Sequence, residues 1–204
     1  MMSRYEVSGS EGTEEPGADE GVLENLPGIT SKNDIAEAET ELLDALYQAI
    51  FDDFPERLSF DQLRGWHLRW LGNLYSWAGE FRSVNMSKGD FHFAAANQLP
   101  TLALDFEVSY LEQFVSLPDY DDEAVIQYLA ESHVEFILIH PFREGNGRIS
   151  RLLMDVMAVQ AGFQPLDYTL WDENKEFYFR SIQAGVSGDY QHLIRLVRDV
   201  LEQQ

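Results

Sequence analysis

The 204-residue sequence predicts a mainly α fold of about seven helices with one small β-hairpin. Two patterns predict it: apolar residues recur at helical spacing in seven separate segments, and the period changes only between Gly79 and Phe93. An apolar fraction of 45% and an aromatic fraction of 13% supply enough apolar surface to offset the ordering entropy of a core, so a folded domain is expected.

Residues Ser3 to Asn25 carry seven acids, Glu6, Glu11, Glu14, Glu15, Asp19, Glu20 and Glu24, with Gly, Ser and Pro between them. That composition predicts a disordered, solvated tail over 1–25 and a domain over 26–204. Thr30-Ser31-Lys32-Asn33 caps a first helix over Asp34 to Phe51, whose Ile35, Ala38, Leu42, Leu46 and Ile50 share a face. Pro55 punctuates the connection to a second helix near Ser59 to Tyr75, marked by Phe60, Leu63, His67, Leu71 and Leu74. Trp66, Trp70 and Trp77 in this region read as packing residues. Phe81, Val84 and Met86, then Lys88-Gly89-Asp90, then Phe91 and Phe93 read as the hairpin, the one expected sheet. Helical spacing returns at Asn97 to Phe114, Asp122 to Ile139, Arg148 to Ala161, Asp172 to Ala184 and Gly188 to Leu201.

The formal net charge is −22, which repels a nucleic-acid backbone and an anionic membrane, so neither is an expected partner. The absence of cysteine excludes disulfides and thiolate metal sites and fits a reducing compartment. The first 20 residues lack the basic and apolar regions of a secretory signal, and no apolar run is long enough to span a bilayer. A cytoplasmic location is expected, with export by another route compatible.

Against this acidic background, three of the 14 basic residues, Arg143, Arg148 and Arg151, fall within the twelve positions His140 to Arg151. Pro141 ends the preceding helix, and Gly145-Asn146-Gly147 forms a tight loop before Ile149, Leu152, Leu153, Val156 and Met157 resume a helical pattern. Arg148 and Arg151 therefore stand in the first turns of a helix, where cations oppose the macrodipole. An anion there reverses the sign, because helix N-termini and glycine-bounded loops bind phosphates, and arginines three apart reach along one face. Glu144 is placed to hold magnesium against phosphate oxygens, and His140 has the pKa to take a hydroxyl proton at neutral pH. Singly, each feature is ordinary: a histidine at a helix end, a glycine turn, surface arginines. Their conjunction leaves an anion-dependent catalytic site and a merely basic turn both open.

At these residues the sequence resembles the Fic family, whose motif reads His-Pro-Phe-x-(Asp/Glu)-Gly-Asn-Gly-Arg-x-x-Arg and is met at every specified position from His140 to Arg151. Trp77-Ala78-Gly79-Glu80-Phe81-Arg82 and Val84-Asn85-Met86-Ser87-Lys88-Gly89 are similar to the family's hairpin flap, and the likeness runs from about Gly28 to Leu201. The resemblance implies the Fic fold, helices around a central helix-loop-helix, and transfer of AMP from ATP to a Tyr, Ser or Thr hydroxyl of a target protein. It implies that His140 takes the hydroxyl proton and that Glu144 positions Mg2+ on the α and β phosphates. Gly145, Asn146 and Gly147 would line the phosphate cradle, Arg148 would bind the β phosphate, Arg151 the γ phosphate, and Phe142 would anchor the loop. The flap, Ser83 to Phe93, would clamp the target by strand addition, with Lys88 and Gly89 touching the nucleotide. Kinase-like relatives carry lysine in place of the second motif glycine, so Gly147 favours AMP over phosphate transfer; phosphocholine transfer is a further alternative.

Fic enzymes are commonly restrained by a (Ser/Thr)-x-x-x-Glu-(Gly/Asn) helix whose glutamate pairs with the second motif arginine. Ser10 and Glu14 are followed by Glu15, and Ser76 and Glu80 by Phe81, so neither fits. The expectation is that Arg151 is unrestrained within the chain and that a separate antitoxin-like protein supplies the glutamate, with a tail that folds back as the alternative. Two rival classes stand beside this reading. A metal-dependent hydrolase would use His133, His140 and Glu144, but Pro141 breaks the helix that would align the last two, and no His-Glu-x-x-His is present. A non-catalytic peptide-binding module would use only the flap edge, yet base, acid and arginines are all present.

Overall fold

The computed structural model describes residues 6–7 and 13–202. Among them the chain runs β1 (Glu6–Val7), α1 (Lys32–Asp52), α2 (Phe60–Leu71), β2 (Met86–Lys88), β3 (Phe91–His92), α3 (Leu99–Ser109), α4 (Asp122–Ile139), α5 (Asn146–Gln160), α6 (Thr169–Glu173), α7 (Lys175–Ala184) and α8 (Gln191–Leu201). Short 3-10 turns at Ala96–Gln98, Leu111–Asp119 and Gly185–Ser187 join some of them. The mainly α expectation therefore holds, with eight helices among the described residues. None of these helices is long and apolar enough to cross a membrane.

The chain divides into two compact units. The first comprises Met1–Pro55, Asp61–Thr101 and Pro141–Asn146. Its α1 begins where Ser31 caps it, the hydroxyl accepting the Asp34 N–H at 3.3 Å, and buries Ile35, Leu46 and Ile50 along one face. Glu39 is buried on the same face because Tyr75 donates to its carboxylate at 2.7 Å, while the Trp70 indole donates to its carbonyl at 2.8 Å. A buried carboxylate without such donors would be costly, so this pairing ties α1 to α2 and to the turn beyond it.

The hairpin appears where the period changed. Ser87 pairs with His92 and Lys88 with Phe91 across the two-residue turn Gly89-Asp90, and Gly89 takes the positive φ of 58° that such a turn requires. The expected hairpin lies in a single sheet that β1 extends, pairing antiparallel with β2, Glu6 opposite Ser87 and Val7 opposite Met86, to give the order β1-β2-β3. Two residues are too few for alternation to register as a strand.

The acidic start also differs from a solvated tail. Met1–Tyr5 and residues 8–12 lie outside the described residues, but 13–25 form a hydrogen-bonded loop in which the Glu15 N–H donates to Val22 and the Glu24 N–H to Thr13. The acids themselves accept backbone donors: Glu14 from Gly21, Glu15 from Asn25 and Asp19 from Lys32. Asn25 is buried, donating to the carbonyls of Leu23 and Ile29 and accepting the Ile29 N–H at 2.7 Å, and Leu26 donates to the Leu74 carbonyl. Carboxylates that composition reads as solvating are here local acceptors.

The second unit comprises Glu56–Phe60, Leu102–His140 and Gly147–Gln204. Eleven of the 18 residues of α4 are buried, so this helix is apolar nearly all round and forms the centre of its unit. It starts where Asp121 accepts the Ala124 N–H at 2.8 Å, and it packs against α7 and α8. Phe136 of α4 meets Phe60 and Phe106 at ring separations of 6.2 and 5.7 Å, and α8 adds Leu193, Leu196, Val197 and Val200. Each such side chain, fully buried, contributes about 1.5–3 kcal/mol.

Asn25→Ala is expected to destabilise the protein by roughly 1–3 kcal/mol in denaturant unfolding, since it orphans two carbonyls and an N–H. An unchanged midpoint would mean that residues 13–25 are the solvated tail that composition suggests.

Candidate active site

In the second unit, α4 ends at Ile139 and hands the chain to His140 as its cap. His140 stands in the left-handed region with φ 50°, alone in this among the described non-glycine residues, at a cost of roughly 1–2 kcal/mol. The Pro141 ring explains the abrupt stop: it cannot donate to the helix, and it disfavours helical backbone at the residue before it. The His140 ring is buried, with Nδ1 3.3 Å from the Ile137 carbonyl. A carbonyl only accepts, so the neutral ring carries its proton on Nδ1 and its basic lone pair on Nε2.

Pro141–Asn146 belong to the first unit, where the loop is held from several directions. His67 of α2 accepts the Gly79 N–H on Nδ1 at 2.8 Å, so its Nε2 carries the proton and donates to the Glu144 carbonyl at 3.0 Å. The same ring stacks on Phe142 with centroids 4.0 Å apart and planes 10° from parallel. Phe142 is fully buried, as an anchor must be. Asn146 closes the loop, its side chain accepting the Phe142 N–H at 2.8 Å and donating to the Phe142 carbonyl at 2.7 Å. That side chain is therefore committed to the loop's own backbone. Gly145, at φ 81°, lies so close to Trp70 that an added Cβ would stand 2.5 Å from the ring. Glu144 is buried, its carboxylate accepting the Gly145 N–H at 3.0 Å.

Back in the second unit, α5 presents Gly147, exposed and with nothing within 4 Å of an added Cβ, followed by Arg148 and Arg151. Arg151 is gripped by α6: Nη1 donates to Asp172 at 3.1 Å and Nη2 to its other oxygen at 2.8 Å, while the guanidinium lies over the Tyr168 ring at 4.8 Å. The hydrogen bond from Arg151 holds the Asp172 carboxyl below the usual carboxylate range. Arg151 is thus paired with an acid of its own chain. His133 is packed between Trp171 and Tyr178, its Nε2 2.7 Å from the Tyr178 hydroxyl. Burial, and secondarily the charge of Arg151, push it down to about 3, so it stays neutral in an aromatic box. No group of three or more His, Asp or Glu among the described residues could hold a metal ion by itself.

The profile of the Fic/DOC family matches residues 57–158, half of the chain and the whole of this motif. The chain belongs to the Fic/DOC family. The Fic chain is 27% identical over 178 residues to the probable protein adenylyltransferase Fic of Escherichia coli, covering 85% of this chain and 84% of that one. It is 29% identical over 143 residues to the protein adenylyltransferase Fic of Nematostella vectensis, covering 70% of this chain. It spans about a quarter to a third of the length of this and other animal relatives. Among solved structures it is similar to the N-terminal FIC domain of the Bep8 effector from Bartonella sp. 1-1C, at 20% identity and TM-score 0.77, covering 91% of this chain and 92% of that one. It is also similar to BepC of Bartonella tribocorum, solved with bound AMPPNP, at 21% identity and TM-score 0.71, covering 92% and 96%.

Within the Fic fold the flap is built in the first unit, and Lys88 and Gly89 lie exposed at its turn. Arg82 links flap to loop: its N–H donates to the Pro141 carbonyl at 2.9 Å, and its buried guanidinium donates to the carbonyls of Val84 at 2.6 Å and Ala94 at 2.5 Å, one on each side of the hairpin. Sequence reading missed the positioning roles of His67, Trp70 and Arg82, and missed Asp172. His67 sits at an ordinary apolar-face position of α2, where a core histidine gives no sign of what it holds.

Gly145→Ala is expected to destabilise the fold by roughly 2–4 kcal/mol, from positive φ and overpacking against Trp70. Gly147→Ala should leave stability unchanged or raise it by up to about 1 kcal/mol. Denaturant midpoints of both variants check this, and a tolerated Gly145→Ala would mean that the loop is not held against Trp70.

Proposed function

We propose that this Fic chain is a protein adenylyltransferase: it transfers AMP from ATP to a Tyr, Ser or Thr hydroxyl of a target protein and releases pyrophosphate. The observation that carries the reading is the complete motif with His140 in the tautomer that leaves Nε2 as a base. The target hydroxyl oxygen attacks the α phosphorus as Nε2 takes its proton, and the bond from the α phosphorus to the oxygen bridging the β phosphate breaks. Backbone N–H groups at the start of α5, with Arg148 and Arg151, suit the charge of the β and γ phosphates. The AMPPNP held by BepC supports a nucleotide co-substrate.

Magnesium fits the donor set. Glu144 is the single carboxylate between His140 and Arg151, and a divalent ion that takes one carboxylate and completes its shell from phosphate oxygens and water needs no all-protein cage. Bound there, it would neutralise charge building on the phosphates. Glu144 would hold it, steadied by the Gly145 N–H and by His67 on its carbonyl.

The flap suits an extended target segment that adds as a strand. Because β1 already covers β2, the target would add at the β3 edge or displace β1. A separate antitoxin-like inhibitor remains part of this reading, and to bring a carboxylate to Arg151 it would have to displace Asp172. A cytoplasmic location, in the protein's own cell or in one that receives it, fits a reaction that consumes ATP.

Incubation with magnesium and α-labelled ATP in a lysate is expected to label target protein, and His140→Ala should lower that labelling by about 10²- to 10⁴-fold. Label that persists in the variant would remove His140 as base. Incorporation from γ-labelled but not α-labelled ATP would replace AMP transfer with phosphate transfer.

A further inference from the structure

We infer that Glu6–Val7 is a tethered strand that the chain seats on its own flap, so that an extended protein segment pairs with Ser87 only by displacing β1. This rests on the reading that the flap receives a target segment. The Phe93 N–H donates to the Met86 carbonyl at 3.1 Å, so the backbone of Met86 faces β3. Along a strand the polar groups of successive residues turn to opposite sides, so Ser87 presents its N–H and C=O away from β3, where Glu6 stands opposite it. Glu6 and Ser87 are therefore the hydrogen-bonded pair of the β1–β2 ladder, and Val7 and Met86 the pair without mutual bonds. On the far side of the hairpin the chain is already engaged. The Ala94 carbonyl, beyond β3, accepts from Arg82 at 2.5 Å, and the Asn85 side chain accepts the Ala96 N–H at 2.9 Å. The backbone leaving β3 is thus committed to side chains of the flap itself, and β2 is the strand whose outer edge takes an added strand in this structure.

The tether is firm and the pairing is slight. Residues 8–12 join β1 to Thr13, whose carbonyl accepts the Glu24 N–H at 3.0 Å in a loop that Leu26 fastens to the Leu74 carbonyl at 2.8 Å. Glu14 bridges Leu23 in the same loop, and Asn25 closes it. A strand on so short a lead from an anchored point meets its edge at an effective concentration on the order of millimolar. Against that, β1 is two residues long and brings one hydrogen-bonded pair. A longer extended segment that adds further pairs along the edge outcompetes it, while one that matches only a single pair does not. Because the contest is between backbones, β1 sets a threshold on how well a segment pairs and leaves its side chains to other contacts.

Full chains carrying Glu6→Pro, which removes the N–H that reaches Ser87, and Glu6→Gln, which keeps it, test this beside wild type. With magnesium and α-labelled ATP in dilute lysate, Glu6→Pro is expected to label target protein roughly two- to tenfold more than wild type, the scale of one or two exposed backbone hydrogen bonds. Raising the lysate concentration should close that gap, as competition requires. A synthetic peptide of residues 1–12, added in excess to Glu6→Pro, should return labelling toward the wild-type level. Glu6→Gln should label like wild type, and the three melting midpoints should coincide. Unchanged or lower labelling by Glu6→Pro, or an equal gain in Glu6→Gln, would overturn the inference, and so would a lowered midpoint in Glu6→Pro, which would make β1 part of the fold. If that happens while wild type still labels protein through His140, the adenylyltransferase reading stands without it; if no chain labels any protein, both fall.

Discussion

The structure of the motif loop depends on one buried imidazole. His67 joins the Gly79 N–H before the flap to the distant motif loop, where it meets the Glu144 carbonyl and the Phe142 ring. Both ring nitrogens are satisfied in a dry environment, where a lost partner costs more than the net worth of the bond it made. Around it, Trp70 leaves room only for a glycine at 145, Asn146 returns both its polar atoms to Phe142, and Arg82 ties Pro141 to the hairpin. The loop is thus held by the protein's own contacts. A site that acts by position and charge gains most from such preorganisation.

Charge is used locally and against the overall balance. A net charge of −22 would repel a polyphosphate, yet the motif gathers arginines at one helix start. Elsewhere the acids serve particular partners: Glu39 receives Tyr75, and Glu14, Glu15 and Asp19 receive backbone N–H groups. Asp172 receives Arg151, an arginine of the motif.

The sequence was most informative where one element carries its own signal. α4 runs over the residues its caps and apolar spacing predict, and α5 begins at the glycine loop. Where tertiary contacts decide, it was less so. The single helix expected over Asn97 to Phe114 breaks near Tyr110, and that expected from Asp172 to Ala184 divides at Asn174 and is preceded by a turn from Thr169, because Trp171 must be buried and Arg151 must meet Asp172. β1 is too short to show a period, and the acids of 13–25 hide a loop whose order comes from Asn25. At the site, His140, Glu144 and the arginines were legible because the motif is contiguous. His67, Arg82 and Asp172 were not, since these partners lie between 12 and 77 residues away, in contacts that no local pattern encodes.

The central claim is that residues 140–151 are the nucleotide site. Hydrogen exchange with and without magnesium and a non-hydrolysable ATP analogue tests it most directly, because it locates binding without relying on turnover. Protection should appear in peptides covering His140 to Arg151 and be concentrated in the N–H groups that open α5. Unchanged exchange across that segment, with protection elsewhere in the chain, would contradict the account.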